Sequence, residues 1–165
     1  MFNKKSQGIS DVFKYIIAAV LAALILGIGY KMVKLMQEKG CKAELADFEI
    51  SLIELDRNVR FGDRRMQTYQ VPCSATQVYF FDRSKKIDAE KFKNIPILMD
   101  NLKTGGNSNI FVVKGSDVLR SFYAGNLQID EHYLCLKPLS DKISIFIEGR
   151  GKSVIVEPAN QQSLC

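Results

Sequence analysis

Few residues in this chain could do chemistry: four cysteines, one histidine and a short arginine cluster. Cys41, Cys73, Cys135 and Cys165 stand 32, 62 and 30 residues apart. No CxxC pair occurs, so neither a zinc site nor a thioredoxin-type redox pair is expected. An even set of scattered cysteines is most simply used as two disulfides in an oxidising compartment, with three pairings open. His132 is the only histidine, which excludes a multi-histidine metal site, and no GxSxG elbow supports it as a catalytic base. It reads as a surface or structural residue. The carboxylates follow no calcium-loop pattern, and Lys103-Thr104-Gly105-Gly106 runs in the wrong order for a phosphate-cradling loop. No cofactor, no metal and no enzymatic activity are therefore expected. The stretch DRNVRFGDRR gathers Arg57, Arg60, Arg64 and Arg65. Guanidinium groups form forked bonds to carboxylate and phosphate, so these four are a candidate interaction patch for an acidic surface or lipid headgroups. The plainer reading is an exposed hairpin whose arginines pair locally with Asp56 and Asp63.

The element that must position everything else lies at the start of the chain. Between Val12 and Val33 the only charges are Lys14 and Lys31, and Tyr15 to Tyr30 is unbroken apolar sequence. With the two lysine stems reaching toward headgroups, the run attains the roughly 20 residues that a bilayer requires, bracketed by tyrosines where interfacial aromatics belong. It is longer than the apolar region of a cleaved secretory signal, and it leads into KMVKLMQEKG, which continues as helix. Gly40 is the expected stop. Charge follows the same division. Residues 1–40 hold six lysines against two carboxylates, whereas 17 basic residues face 16 acidic ones from Cys41 onward. The net charge of +5 thus belongs to the flanks of the span, and nucleic acid is not an expected partner. Lysine counts on the two sides are too close to orient the span, so the cysteines alone place the domain outside the membrane.

Lys4, Lys5 and Gly8-Ile9-Ser10 precede the apolar run. This arrangement resembles the class III signal of archaeal type IV pilin-like proteins, over some 25 residues. The resemblance implies cleavage between Gly8 and Ile9, and retention of the apolar segment as an N-terminal helix that packs with its copies. Gln7 stands where that family usually has a charge, and Phe13 where many members have glutamate; Asp11 offers a nearby carboxylate. Ala18 with Ala22 and Ala19 with Ala23 are small-xxx-small pairs that permit close helix approach.

Beyond Gly40, Leu45, Phe48, Leu52 and Leu55 share a helical face, while Phe48, Ile50 and Leu52 alternate as in a strand; strand is favoured after Asp47. RRMQTYQVP and TQVYFFD read as strands separated by a Pro72-Cys73-Ser74 break, with a turn at Gly62-Asp63. The segment DAEKFKNIPILMDNLKTGG reads as helix, capped at Asp88, stopped at Gly105, and kinked or divided at Pro96. NIFVVKG, EHYLCLKP, KISIFIEG and SVIVEP follow as strands, the last two joined by a Gly149-Arg150-Gly151 hairpin. Ser121 to Gly125 reads as turn, and Tyr79-Phe80-Phe81 and Phe122-Tyr123 as core aromatics before a binding face. The expected fold is α+β: a long N-terminal transmembrane helix followed by a small, mainly antiparallel β domain with one or two helices. Its divisions are a leader at 1–8, the span and its extension at 9–40, an extracytoplasmic domain at 41–158, and a loose polar tail at 159–165. The expected function is a single-pass membrane-anchored surface protein with the lipid bilayer as first partner, which the resemblance makes a pilin-like subunit self-assembling through residues 9–36; the alternatives are an uncleaved anchored binding or accessory domain and, last, an anchored enzyme.

Overall fold

A computed structural model describes the backbone of residues 4–55, 59–159 and 163–165; the side chains of 4–11, 37–38 and 163 lie outside that description. The chain is α+β and divides into two units, Met1–Lys42 and Ala43–Cys165. The first is helix. Helix α1, Lys4–Ile53, has 50 residues, roughly 75 Å of helix at 1.5 Å per residue. It therefore runs through Gly40 and past Asp47, correcting both the expected stop and the expected strand. A glycine ends a helix only where the chain gains by leaving it, and its interior cost is about 1 kcal/mol. Here the chain gains by continuing, because Leu45, Phe48, Leu52 and then Leu55 are buried in the second unit. Ile50, which the strand reading would have placed beside Phe48 and Leu52, stands 55% exposed.

Among the described residues the second unit adds nine strands. Sheet 1 has the order β1-β7-β8-β5, with β1 Arg64–Gln70, β5 Leu127–Gln128, β7 Lys142–Gly149 and β8 Val154–Pro158. Sheet 2 has the order β4-β3-β2-β6-β9, with β2 Gln77–Phe81, β3 Ile110–Lys114, β4 Asp117–Phe122, β6 Tyr133–Lys137 and β9 Ser163–Leu164. Every pairing is antiparallel except β5 with β8. Both faces of sheet 2 are covered, which explains why QVYFF and IFVVK are continuously apolar. Tyr79, Phe81, Phe111, Val113 and Cys135 meet Phe92, Ile95 and Leu98 on one side. Their alternates Val78, Phe80, Ile110, Val112, Leu134 and Leu136 are buried on the other, toward sheet 1. Sheet 1 contributes Ile143, Ile145 and Ile147, all fully buried, while the intervening Ser144, Phe146 and Glu148 are half-exposed.

The helical segment divides at Pro96, as its fixed φ and missing N–H require. Residues Ala89–Phe92 form a 3-10 turn capped by the Asp88 carboxylate, which accepts from the Glu90 N–H at 3.1 Å. Helix α2, Pro96–Thr104, starts on the proline and ends at Gly105, where φ is 73°. Three strands went unseen in the sequence. Asp117–Phe122, expected in part as turn, pairs with β3 across a register shift at Val112/Val113. Leu127–Gln128 and Ser163–Leu164 have two residues each. The last of these corrects the loose tail: β9 pairs with β6, and Cys165 is bonded to Cys135.

The buried helical stripe is measurable by substitution. Leu52→Ala, at a fully buried position, is expected to destabilise the domain by about 2–5 kcal/mol in denaturant unfolding, and Ile50→Ala by less than about 0.5 kcal/mol. Equal losses at the two positions would contradict the burial of one face.

Candidate functional site

In the first unit, the helix carries exposed apolar side chains on every face from Val12 to Met36. The segment is long and apolar enough to cross a membrane, and none of its most apolar window is buried within the protein. Tyr15 and Tyr30 stand exposed near its two ends. Gly8 and Ile9 lie within the helical backbone, and their side chains are outside the described residues.

All four cysteines are oxidised. Cys135 and Cys165 are bonded to each other, their Cα atoms 5.4 Å apart, and this bond ties the C-terminal end of the chain to β6, the strand that β9 pairs with. Cys41 and Cys73 are disulfide-bonded as well, and no cysteine is free.

Three arginines of the cluster, Arg60, Arg64 and Arg65, are among the described residues. Arg57 falls outside the described residues. Arg60 lies before β1, and its carbonyl approaches Gly149 so closely that a Cβ at 149 would stand 2.3 Å from it. Arg64 and Arg65 are consecutive strand residues and so point to opposite faces. Arg64 reaches across sheet 1 to Glu157 at 2.6 Å and lies over the Phe146 ring at 5.4 Å from its centroid. Its partner is 93 positions away in sequence, so the expected local pairing with Asp63 is replaced by a long-range one.

Buried polar side chains serve as clamps. Asp82 is 2% exposed; its carboxylate accepts from the Ser84 N–H at 3.0 Å and the Ser84 hydroxyl at 2.6 Å. Lys85 stands 3.7 Å from it and donates to the carbonyls of Ile129, Asp130 and Glu131, fastening the approach to β6. Asn109 accepts from the Ala124 N–H at 2.9 Å and donates to the Gly125 carbonyl at 2.7 Å. His132 is exposed, and its carbonyl accepts from the Asp82 N–H.

A cleft of about 600 Å³ lies between the end of α1 and the edge of sheet 1. One wall is a helix face with Glu44, Asp47, Phe48 and Ser51 at i, i+3, i+4 and i+7. The other is the run Thr68 to Ser74, with Asp141 beside it. Phe48 and Tyr69 meet edge to face, ring centroids 6.5 Å apart. The Cys73 N–H donates to the Glu44 carboxylate at 3.2 Å, joining the two walls at one end. Three of the lining residues are carboxylates, Glu44, Asp47 and Asp141, and none is a lysine or arginine. Sequence reading missed this site because it favoured strand after Asp47. The available signal was the polar 44, 47 and 51 positions flanking the 45, 48, 52 and 55 stripe.

Backbone direction along β1 follows from two flanking bonds. The Gly149 N–H donates to the Asp63 carbonyl and the Val71 N–H to the Asp141 carbonyl. With the register Arg65↔Ile147, Gln67↔Ile145 and Tyr69↔Ile143, odd-numbered residues bond to β7. The N–H and C=O groups of Arg64, Met66, Thr68 and Gln70 therefore point to the outer edge, where sheet 1 has no further strand among the described residues.

No family model matches the chain, and neither a curated protein nor a solved structure matches it.

Two measurements test this geometry. Digestion of unreduced, alkylated protein is expected to yield Cys135 and Cys165 in one linked peptide, and Cys135→Ser with Cys165→Ser to cost about 2–5 kcal/mol, as for a native disulfide closing a loop of this size. Tyr69 is a pH probe. Burial pushes its hydroxyl up from 10.0 to about 12, with the Arg65 charge acting in the opposite direction. The neutral form is the one the fold favours, so this stabilisation is complete below pH 10 and is lost as pH rises toward 12. In Tyr69→Phe the loss of stability between these pH values, followed by denaturant unfolding, is expected to shrink.

Proposed function

We propose that the chain is a single-pass, membrane-anchored surface protein, with residues 12–33 in the bilayer and the β domain on the oxidising, extracytoplasmic side. The carrying observation is a helix apolar on every face joined to a domain whose cysteines are all oxidised. The apolar surface calls for lipid or for other helices, and disulfides persist outside the reducing cytosol.

Within this reading the chain is a pilin-like subunit. The leader is cleaved between Gly8 and Ile9, and residues 9–36 then pack with their copies in a filament core. The support is the order basic leader, glycine, apolar segment, and the small-xxx-small alanine pairs that allow helices to approach. The domain acts by assembly and contact and carries no enzymatic activity. A second reading keeps the leader and leaves the domain as an anchored binding module; the acidic cleft favours it.

Sequencing the mature N-terminus separates the two. Material sheared from cells is expected to begin at Ile9 and to contain filaments, and Gly8→Leu to leave full-length chain in the membrane with no filaments recovered. An intact Met1 in membrane-bound wild-type protein would select the second reading. Recovery of the full chain in the soluble fraction without detergent would reject both.

A further inference from the structure

We propose that the cleft between α1 and β1 binds an extended, lysine- or arginine-bearing segment of a partner protein, which adds as a fifth strand to the outer edge of sheet 1. The inference holds whether or not the leader is cleaved, since every group involved lies in the second unit.

Four observations converge. The outward N–H and C=O groups of Thr68 and Gln70 form the strand wall of the cleft and offer a ladder for main-chain hydrogen bonds. A cleft of about 600 Å³ has the size of sites that enclose small ligands, and a segment of about four residues in extended form spans about 13 Å. The apposed rings of Phe48 and Tyr69 supply an apolar surface for side chains that alternate inward. The charged side chains lining the cleft, Glu44, Asp47 and Asp141, are all carboxylates, which favours cations on the incoming segment and disfavours anions. Nearby Lys114 donates to the Cys73 carbonyl at 3.3 Å and is not part of the lining.

A single strand fits better than a second copy of this domain. A copy would bring its own residues 44–51 along the same edge of its own β1, and the two helix walls would compete for one space. An isolated extended segment carries no such wall.

The probe is a short fluorescent peptide alternating lysine and valine, titrated by anisotropy against the full chain in nanodiscs of uncharged zwitterionic lipid. Saturable binding is expected, with the glutamate-valine peptide about tenfold weaker or worse. Asp47→Asn combined with Glu44→Gln is expected to weaken the lysine peptide by about tenfold. N-methylation of alternate peptide amides, which removes donors while keeping the charge, is expected to cost a similar factor in one of its two registers and little in the other. Thr68→Pro blocks the edge from the protein side. Its lost N–H points outward, so the ladder to β7 is kept, and thermal unfolding verifies the fold. Absence of saturable binding overturns the proposal. So does binding indifferent to N-methylation in both registers, which is charge adsorption only, or concentration-dependent self-association of the chain that Thr68→Pro abolishes, which makes the occupant a second copy.

Discussion

One helix must satisfy two different surroundings, and the rest of the structure follows from that. Along residues 12–36 its apolar side chains are exposed on every face, a surface that water disfavours at roughly 25 cal/mol per Å². Along residues 45–55 the apolar positions narrow to one stripe, Leu45, Phe48, Leu52 and Leu55, and the stripe is buried in the β domain. A helix can serve both because its backbone hydrogen bonds are satisfied internally in either medium. The lysines Lys31, Lys34, Lys39 and Lys42 collect where the pattern changes. Gly40 sits in the same stretch, and its preference to end the helix is weaker than the burial gained by the turns that follow.

The fold was legible wherever one element met one kind of surroundings. KISIFIEG alternates because sheet 1 has one buried face, and QVYFF and IFVVK do not alternate because sheet 2 is covered on both. Asp88, Pro96 and Gly105 act through their own backbone chemistry, so their roles could be read in place. Residues 47–53 were misread because helix and strand periods both matched, and only tertiary burial chose between them. Leu127–Gln128 and Ser163–Leu164 are too short to show any period, and Asp117–Phe122 lies among turn residues on an edge with an irregular register. The arginine cluster was a neighbourhood in sequence that strand geometry split, since Arg64 and Arg65 face opposite ways. The cleft was invisible as a whole, because its walls come from residues 44–51, 68–74 and 141 and no sequence window contains them.

Polar groups inside the domain hold loops against the sheets. Asp82 gathers Ser84 and Lys85, and Lys85 in turn holds three successive carbonyls ahead of β6. Asn109 does the same for residues 124 and 125. A buried carboxylate or amide is costly unless each atom finds a partner, so such clusters confine a loop to one conformation. The disulfide to Cys165 confines the C-terminal end by the same logic, in covalent form. Together these restraints give short, irregular connections the order that the long helix obtains from its own ladder.

Edge strands show where this economy stops. Among the described residues each sheet has two ends. β5 and β9 are two residues long and offer little to pair with. β4 carries the register shift, and its Arg120 is held by Glu49 at 2.6 Å. β1 differs: it is seven residues long and keeps an unbroken register of seven pairs with β7. A long regular edge invites indiscriminate pairing unless something restricts access. Here residues 44–51 of the helix stand beside Thr68 and Gln70 and line one cleft with them. Glu44 and Asp47 give that wall its negative charge. The wall is made by the same turns of helix that bury Phe48 and Leu52.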